Sequence, residues 1–310
     1  MKDILEYYYH FKIEKLYQVK KQYVFYIEQH QYLFVPYTRS IEEAQDLYVL
    51  NLEMINMHAF YHRIVLNKDR QILTMVSQKP YILLEVVVPT NHFITLQQFS
   101  YPLVVLPHQW KLFPSLIRFD WITLWKEKID YFEYQIEHFR KKYPLLVQSI
   151  SYFIGLGENA ISYIQNTLIE EKQSSSSLVV SHKRVWAQEM EFEFYNPLNV
   201  VIDHQVRDVA EYLKSSFYQD NYKLEEFDAF LQSIHFSKFD LRLFYGRLLF
   251  PSFYFDLYDE IINGYKREEN ILQVTSRILE YERFLYDIYM ILQKYSSLPP
   301  VTWITKHFSF

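Results

Sequence analysis

The chain contains only four glycines, and the first of them is Gly155. Glycine alone adopts positive φ angles at little cost and lets a backbone approach a phosphate group closely. The first half of the chain therefore has no residue suited to a flexible phosphate-binding loop. The same scarcity excludes the Walker loop, the dinucleotide fingerprint and the serine-hydrolase elbow, and the sequence has no HExxH zinc motif.

Composition narrows the class of protein further. Half of the 310 residues are hydrophobic, enough to bury a sizeable core in one large domain or two modest ones. No apolar run reaches the roughly 18 residues of a membrane span. The absence of cysteine excludes disulfides, thiolate metal sites and cysteine nucleophiles. The net charge of -5 gives no general attraction to nucleic acid, and the acidic start does not resemble a secretory signal. We expect a globular protein made in a cytoplasm, without a nucleic-acid partner or membrane insertion.

The pattern of residues 1–88 predicts a small antiparallel sheet with one helix. The runs YVFYIEQ and YLFVPY, separated by QHQ, predict a hairpin, and further strands are predicted at FYHRIVL, QILTMV and YILLEVVV, with NKDR as a turn. Ser40 and Glu43 have the spacing of a capping box at the start of the helix. A hinge is predicted at 89–92.

Residues 93–310 form a predicted, mainly helical second part. In FDWITLWKEKIDYFEYQIEHFRKKY, apolar residues recur at steps of three and four. Two short runs, LVVSHKRVWAQ and NVVIDH, are exceptions that are predicted to pair as strands. Glu158 and Asn159 are interpreted as lying where a helix begins, with Asn159 or Gly157 as the cap. The fold class predicted is α+β.

The stretch VIDHQVRDVAEYL, residues 201–213, brings Asp203, His204 and Asp208 together where an apolar strand gives way to an amphipathic run. Such a group suggests a catalytic or metal cluster. A metal site needs further ligands, however, and adjacent residues on a strand point to opposite faces, which leaves Asp203 alone as a candidate ligand. The structural alternative is a turn in which Asp203 caps backbone N–H groups and Asp208 pairs with an arginine, Arg184 or Arg207.

Three stretches, FIGLGENAISYIQNT, NPLNVVIDHQVRDVAEYLK and RLLFPSFYFDLYDEIINGY, resemble the CotS-like spore coat family, especially its YutH-type branch. The segment QILTMVSQKPYILLEV is similar to the strand pair before the hinge in these proteins. The resemblance implies a bilobal protein-kinase-like fold, related to aminoglycoside phosphotransferases and choline kinases. A small N-terminal antiparallel sheet with one helix would precede a larger, mainly helical lobe.

The chain departs from the residues that this resemblance implies for catalysis. Phosphoryl transfer needs a phosphate cradle, a lysine, a base and metal ligands. No glycine-rich loop is possible between the first strands, and YLFVPY, the strand expected to carry the lysine, has none. Alignment on His182 places Arg184 at the catalytic base and Glu189 at the metal-binding asparagine. Asp203 falls at the metal-binding aspartate, and Asp208 at the aspartate that braces the catalytic loop.

These departures predict a pseudokinase, because an arginine does not accept a proton from a substrate hydroxyl. A salt bridge from Arg184 to Asp203 or Asp208 would fill the vacated base position. The resemblance implies a structural or interaction component of the spore coat, made in the mother-cell cytoplasm, with other coat proteins as partners and no cofactor. The alternative is an atypical ATP-dependent small-molecule or protein kinase that uses Asp203, with Glu189, for Mg²⁺. An interaction protein unrelated to the coat is a third possibility.

Overall fold

The computed structural model describes residues 1–87, 92–105, 109, 111–139, 141–172 and 174–308. Residues 89–91 of the predicted hinge lie outside the described residues, so the predicted lobe boundary stays a prediction. Contacts divide the chain into two compact units. The first comprises Met1–Ile94, Val105–Ile117 and Glu189–Ile202, and the second comprises Thr95–Val104, Arg118–Gln188 and Asp203–Phe310.

An antiparallel sheet forms most of the first unit, as predicted. Its strands are β1 (Leu16–Val19), β2 (Gln22–Ile27), β3 (His30–Pro36), β4 (Arg63–Val65), β5 (Thr74–Val76) and β6 (Lys79–Glu85). They lie in the order β1-β2-β3-β6-β4, with β5 also pairing with β6. The strands on either side of the NKDR turn therefore both pair with β6 and not with each other.

Tight turns join the first three strands. Val19 pairs with Gln22, so only Lys20 and Lys21 lie between β1 and β2, and Lys20 has a positive φ of 56°. The turn between β2 and β3 likewise consists of two residues and places Glu28 at a φ of 55°. Two-residue hairpin turns require this conformation, which glycine would adopt at lower cost. The sheet is built without that glycine.

Two longer helices accompany the sheet, where the sequence predicted one. In α2 (Ile41–Asn56), Ser40 accepts from the Glu43 N–H and the Glu43 side chain accepts from the Ser40 N–H, which confirms the capping box. The unpredicted helix is α1 (Lys2–Tyr9), which ends at His10 in the left-handed conformation. Its apolar face joins the sheet core through Leu5 and Tyr9. This packing stabilises a helix that is too short to form alone.

The second unit is mainly helical, which confirms the predicted class. Among the described residues, the remaining α-helices are α3 (Trp121–Phe139), α4 (Pro144–Glu170), α5 (Glu191–Phe194, in the first unit), α6 (Arg207–Tyr218), α7 (Leu224–Ser233), α8 (Lys238–Leu249), α9 (Ser252–Ile262), α10 (Leu272–Thr275), α11 (Ile278–Leu292) and α12 (Thr302–Phe308). Strands β7 (Leu178–His182) and β8 (Val200–His204) pair as predicted. None of the described helices combines the length and apolar run needed to cross a bilayer.

Helix α4 corrects one prediction and explains two glycines. It runs without a break through Asn159, so no helix begins there, and the Asn159 amide donates to the Gly155 carbonyl at 2.7 Å. A Cβ atom added to Gly157 would lie 2.9 Å from Cδ1 of Ile129 in α3. One added to Gly246 in α8 would lie 2.9 Å from Cγ1 of Ile164. These glycines let neighbouring helices pack closely inside the second unit.

Candidate functional site

The positions that the kinase resemblance singled out gather largely at the ends of β7 and β8, where buried polar groups pair with one another. At the end of β7, His182 is 2% exposed. Its ring Nδ1 lies 2.7 Å from Oδ2 of Asp208, and its backbone N–H donates to Oδ1 at 2.9 Å. Because a carboxylate only accepts, Nδ1 carries the proton. Asp208, in the first turn of α6, thus holds the end of β7, as a bracing aspartate would.

Asp203 is fully buried, and both of its carboxylate oxygens are engaged. Oδ2 accepts from the indole N–H of Trp121 at 3.0 Å and from the guanidinium of Arg207, and Oδ1 accepts from the backbone N–H of His204 at 2.7 Å. The last contact confirms the predicted backbone capping. The carboxylate of Asp203 therefore accepts three hydrogen bonds from groups inside the protein.

Arg207 links Asp203 to the segment that follows β7. Its Nε donates to the carbonyl of His182 at 2.8 Å, and its NH2 donates to the carbonyl of Lys183 at 3.0 Å. With its side chain 7% exposed, the guanidinium is almost completely removed from solvent. The arginine thus fixes the two polar segments against each other inside the second unit.

The donor set around Asp203 does not fit a magnesium ion. Mg²⁺ requires near-octahedral oxygen ligands, and an aspartate that coordinates it needs a free lone pair directed at the ion. Here three of the four lone pairs of the carboxylate accept hydrogen bonds, from Trp121, Arg207 and the His204 N–H, and the carboxylate is fully buried. Within the part of the chain that the structure describes, no group of three His, Asp or Glu residues could hold a metal. Glu189, the other position aligned with a metal ligand, belongs to the first unit, where its carbonyl accepts from the Ile94 N–H.

Arg184, at the aligned base position, makes a different salt bridge from the one predicted. Its guanidinium forms a two-pronged pair with Asp256 of α9, with NH2 2.7 Å from Oδ1, and NH1 donates to the Lys183 carbonyl at 2.8 Å. The predicted pairing with Asp203 or Asp208 is wrong, because Arg207 and His182 already occupy those carboxylates.

The charges around Arg184 keep it a cation. Burial alone would lower its pKa, but the carboxylates of Asp256 and Glu211 outweigh burial and raise the pKa above the ordinary arginine value. For Asp256, burial acts in the opposite direction, but the Arg184 and Lys128 cations lower the pKa of its carboxyl to about 2. Arg184 is therefore a cation at the position that the resemblance aligned with the catalytic base.

A buried ionic cluster of Glu211, Lys214 and Arg247 lies next to the pair of Arg184 and Asp256. The sequence did not predict it. Glu211 of α6, 3% exposed, accepts from Nε and NH2 of Arg247 at 2.9 and 2.8 Å. Lys214, one turn further along α6, donates to the carbonyls of Arg247 and Phe250 and to the Ser252 hydroxyl within 3.0 Å. It thereby caps the end of α8. The residue pattern of these two helices gave no signal of the cluster, because charged residues recur along both and do not mark which of them are buried.

In the described part of the first unit, two positions differ from the protein-kinase pattern. The turn between β1 and β2 is shorter than the G-x-G-x-x-G motif of protein kinases, and β3 contains no lysine. In α2, Glu43 pairs with Arg39 through contacts of 3.0 and 3.1 Å. Arg39 also donates to the carbonyls of Leu198 and Val200. This pair holds α2 against the segment before β8, within the first unit.

Comparisons with known proteins identify the family and the fold of the chain. A family described as "Spore coat putative kinase YutH" matches residues 2–288. The curated Endospore coat-associated protein YutH of Bacillus subtilis (strain 168) is 29% identical over 215 residues, which cover 60% of this chain and 62%, less than two thirds, of that protein's length.

Solved structures show the fold at much lower identity. An aminoglycoside phosphotransferase from Alicyclobacillus acidocaldarius is 14% identical with a TM-score of 0.61, covering 92% of this chain and 94% of that one. A choline kinase from Streptococcus pneumoniae is 12% identical with a TM-score of 0.50, covering 93% and 97%. These likenesses establish a kinase-like α+β fold. Since the family match extends over nearly the whole sequence, the chain belongs to the YutH family of spore coat proteins with a kinase-like fold.

Proposed function

We propose that this protein is a pseudokinase that acts as a structural or interaction component of the spore coat. The observation that carries the proposal is the state of Asp203, a fully buried carboxylate whose two oxygens accept from Trp121, Arg207 and the His204 N–H. In an active kinase the equivalent aspartate has to present oxygen to Mg²⁺. Here the same residue ties polar segments of the second unit together.

Two further features support the loss of phosphotransferase chemistry. Arg184 occupies the base position as a permanent cation, paired with Asp256. The Lys20–Lys21 turn replaces the glycine-rich loop, and no lysine is present in β3. Each change alone would weaken catalysis. Together they affect the base, the phosphate cradle and the metal site, the three parts on which phosphoryl transfer depends.

The coat role rests on family membership and on the relative from Bacillus subtilis, which is an endospore coat-associated protein. We infer that this chain is likewise made in the mother-cell cytoplasm, is placed in the coat and contacts other coat proteins. A fluorescent fusion observed during sporulation tests this inference. A ring of signal around the forespore is expected, and a signal that stays spread through the mother cell would contradict it.

A thermal-shift titration with ATP and MgCl₂ tests the loss of nucleotide-dependent chemistry. A ligand present at a hundredfold excess over its dissociation constant stabilises a protein by about 2.7 kcal/mol. We expect no saturable rise in the melting temperature, whereas an active aminoglycoside phosphotransferase in the same buffer should give one. A saturable, magnesium-dependent rise that Asp203→Asn abolishes would overturn the proposal in favour of an atypical kinase. Each variant is compared with its own melting temperature without ligand.

A further inference from the structure

A cavity of about 320 Å³ opens in the second unit, apart from the charged cluster described above. Its wall is formed by the segment from Gln97 to Pro102, by Gln205 just after β8, and by the segment from Ser233 to Phe236 that follows α7. Because water occupies about 30 Å³ per molecule in the liquid, the volume corresponds to roughly ten waters. It lies at the lower end of the range of small-molecule sites, which begins at about 300 Å³.

The polar part of the wall is rich in hydrogen-bonding groups. It contains the amides of Gln97 and Gln205, the hydroxyls of Ser100 and Ser233, and the imidazole of His235. Among the described residues that line the cavity, none is a carboxylate, an ammonium or a guanidinium group. A charged ligand would therefore lose hydration without meeting an opposite charge.

Aromatic rings complete the wall. Phe99 is 7% exposed, and its ring contacts Tyr212 of α6 edge-on, with centroids 5.6 Å apart. Tyr101 is 93% exposed, so its ring stands at the mouth of the cavity without being needed for the core. Phe236 lines the opposite segment. The Ser100 hydroxyl donates to the Gln97 amide oxygen and the Ser233 hydroxyl to the Phe230 carbonyl. A purely apolar ligand would suit the aromatic residues but would displace water from the remaining polar groups, such as those of Gln205 and His235, without replacing its hydrogen bonds.

We propose that this cavity binds a neutral polyhydroxylated ligand, a saccharide of one or two rings. Sugar hydroxyls both donate and accept, which matches amide, hydroxyl and imidazole groups. The C–H faces of a sugar ring present an apolar surface that packs on an aromatic side chain such as Tyr101. Only a ligand that combines both surfaces satisfies the whole wall. The inference is independent of the proposed function, since it involves neither nucleotide nor the residues around Asp203.

Saturation-transfer NMR on the full chain tests the proposal. The probes are maltose and N,N′-diacetylchitobiose as neutral sugars, with glucosamine and glucuronate as charged comparisons. We expect the neutral disaccharides to bind with dissociation constants near 1 mM, and the charged sugars to bind at least fivefold more weakly. Tyr101→Ala should weaken binding by about two- to tenfold, the value of one aromatic contact. Gln205→Leu should weaken it by a similar factor.

Tyr265→Ala provides a matched control, because Tyr265 is 75% exposed in the same unit and does not line the cavity. It should leave binding unchanged. Three results would overturn the proposal: no transfer to either neutral sugar, equal binding of the charged sugars, or equal effects of the Tyr101 and Tyr265 substitutions. Because Tyr101 is exposed, its loss does not threaten folding, and each variant's melting temperature verifies this.

Discussion

Replacing Asp203 by asparagine removes one negative charge from a buried ion pair at almost constant volume. We expect the substitution to lower the free energy of unfolding substantially. The side chain of Arg207 is 7% exposed and pairs with the carboxylate of Asp203, which is fully buried. Removing one member of a buried ion pair leaves the other charge uncompensated, at a cost of about 3–5 kcal/mol. With the amide oxygen of asparagine in the place of Oδ2, Trp121 keeps its acceptor, but the amide nitrogen replaces Oδ1 and the His204 N–H loses its acceptor. The measured loss therefore combines the charge with one hydrogen bond.

Urea denaturation followed by far-UV circular dichroism measures this loss, and Asp130→Asn is its control. Asp130 is an exposed residue of α3, where the same substitution should change stability by less than about 0.5 kcal/mol. We expect the Asp203 variant to unfold at a clearly lower urea concentration with an unchanged slope. Its melting temperature should fall by about 6–20 °C, since 1 kcal/mol corresponds to about 2–4 °C in proteins of 150–250 residues.

The opposite outcome would identify a functional aspartate. A carboxylate kept for a metal ion is poorly satisfied without that ion, so its replacement leaves the free protein equally stable or more stable. If Asp203→Asn and Asp130→Asn have the same unfolding midpoint, the structural role that we assign to Asp203 is wrong.

Three further predictions concern stability. Glu211→Gln and Arg247→Gln should each cost about 3–5 kcal/mol in urea denaturation, and the double variant should cost at least 1 kcal/mol less than their sum; additive costs would contradict the buried pair. Gly246→Ala should destabilise by about 1–3 kcal/mol through overpacking, while Gly155→Ala, with nothing within 4 Å, should stabilise by about 0.5–1 kcal/mol; equal effects would contradict the packing. Burial lowers the pKa of His62 to about 4, whereas the pKa in the unfolded chain is about 6.5. Between about pH 4 and 6.5 the unfolded chain therefore binds more protons than the folded protein. Stability should therefore fall by up to about 3 kcal/mol as the pH drops from 6.5 to 4, and His62→Gln should flatten this part of the profile; an unchanged profile would contradict the assignment.

Features set by neighbouring residues could be predicted from the sequence. The capping box of Ser40 and Glu43 depends on a spacing of three residues, and the buried face of α3 depends on its helical period. The prediction at Asn159 failed because two glycines in a polar context resemble a helix boundary. In the structure, α4 continues through them, since close packing against α3 outweighs the low helix propensity of glycine.

Pairings between distant residues could not be predicted in the same way. Arg184 and Asp256 are 72 positions apart, and their contact depends on how α9 packs beside the end of β7. The sequence presented Asp203 and Asp208 as nearer partners for Arg184. It did not reveal that Arg207, one position before Asp208, pairs with Asp203. The first turn of α6 brings the guanidinium of Arg207 to that carboxylate. Spacing along the sequence indicates which charged groups could pair locally. Which pairs form depends on how the helices and strands pack.

The buried pairing of Asp203 also sets a limit on how the site could bind a nucleotide. A metal ion that recruits this carboxylate has to displace Arg207, and breaking such a buried pair costs about 3–5 kcal/mol. Because 1.4 kcal/mol corresponds to a tenfold change in affinity, magnesium-dependent binding through Asp203 would be weakened by roughly a hundredfold to several thousandfold. An ATP-dependent thermal shift that survives Asp203→Asn would therefore contradict the expected absence of nucleotide binding, and it would assign that binding to groups other than Asp203.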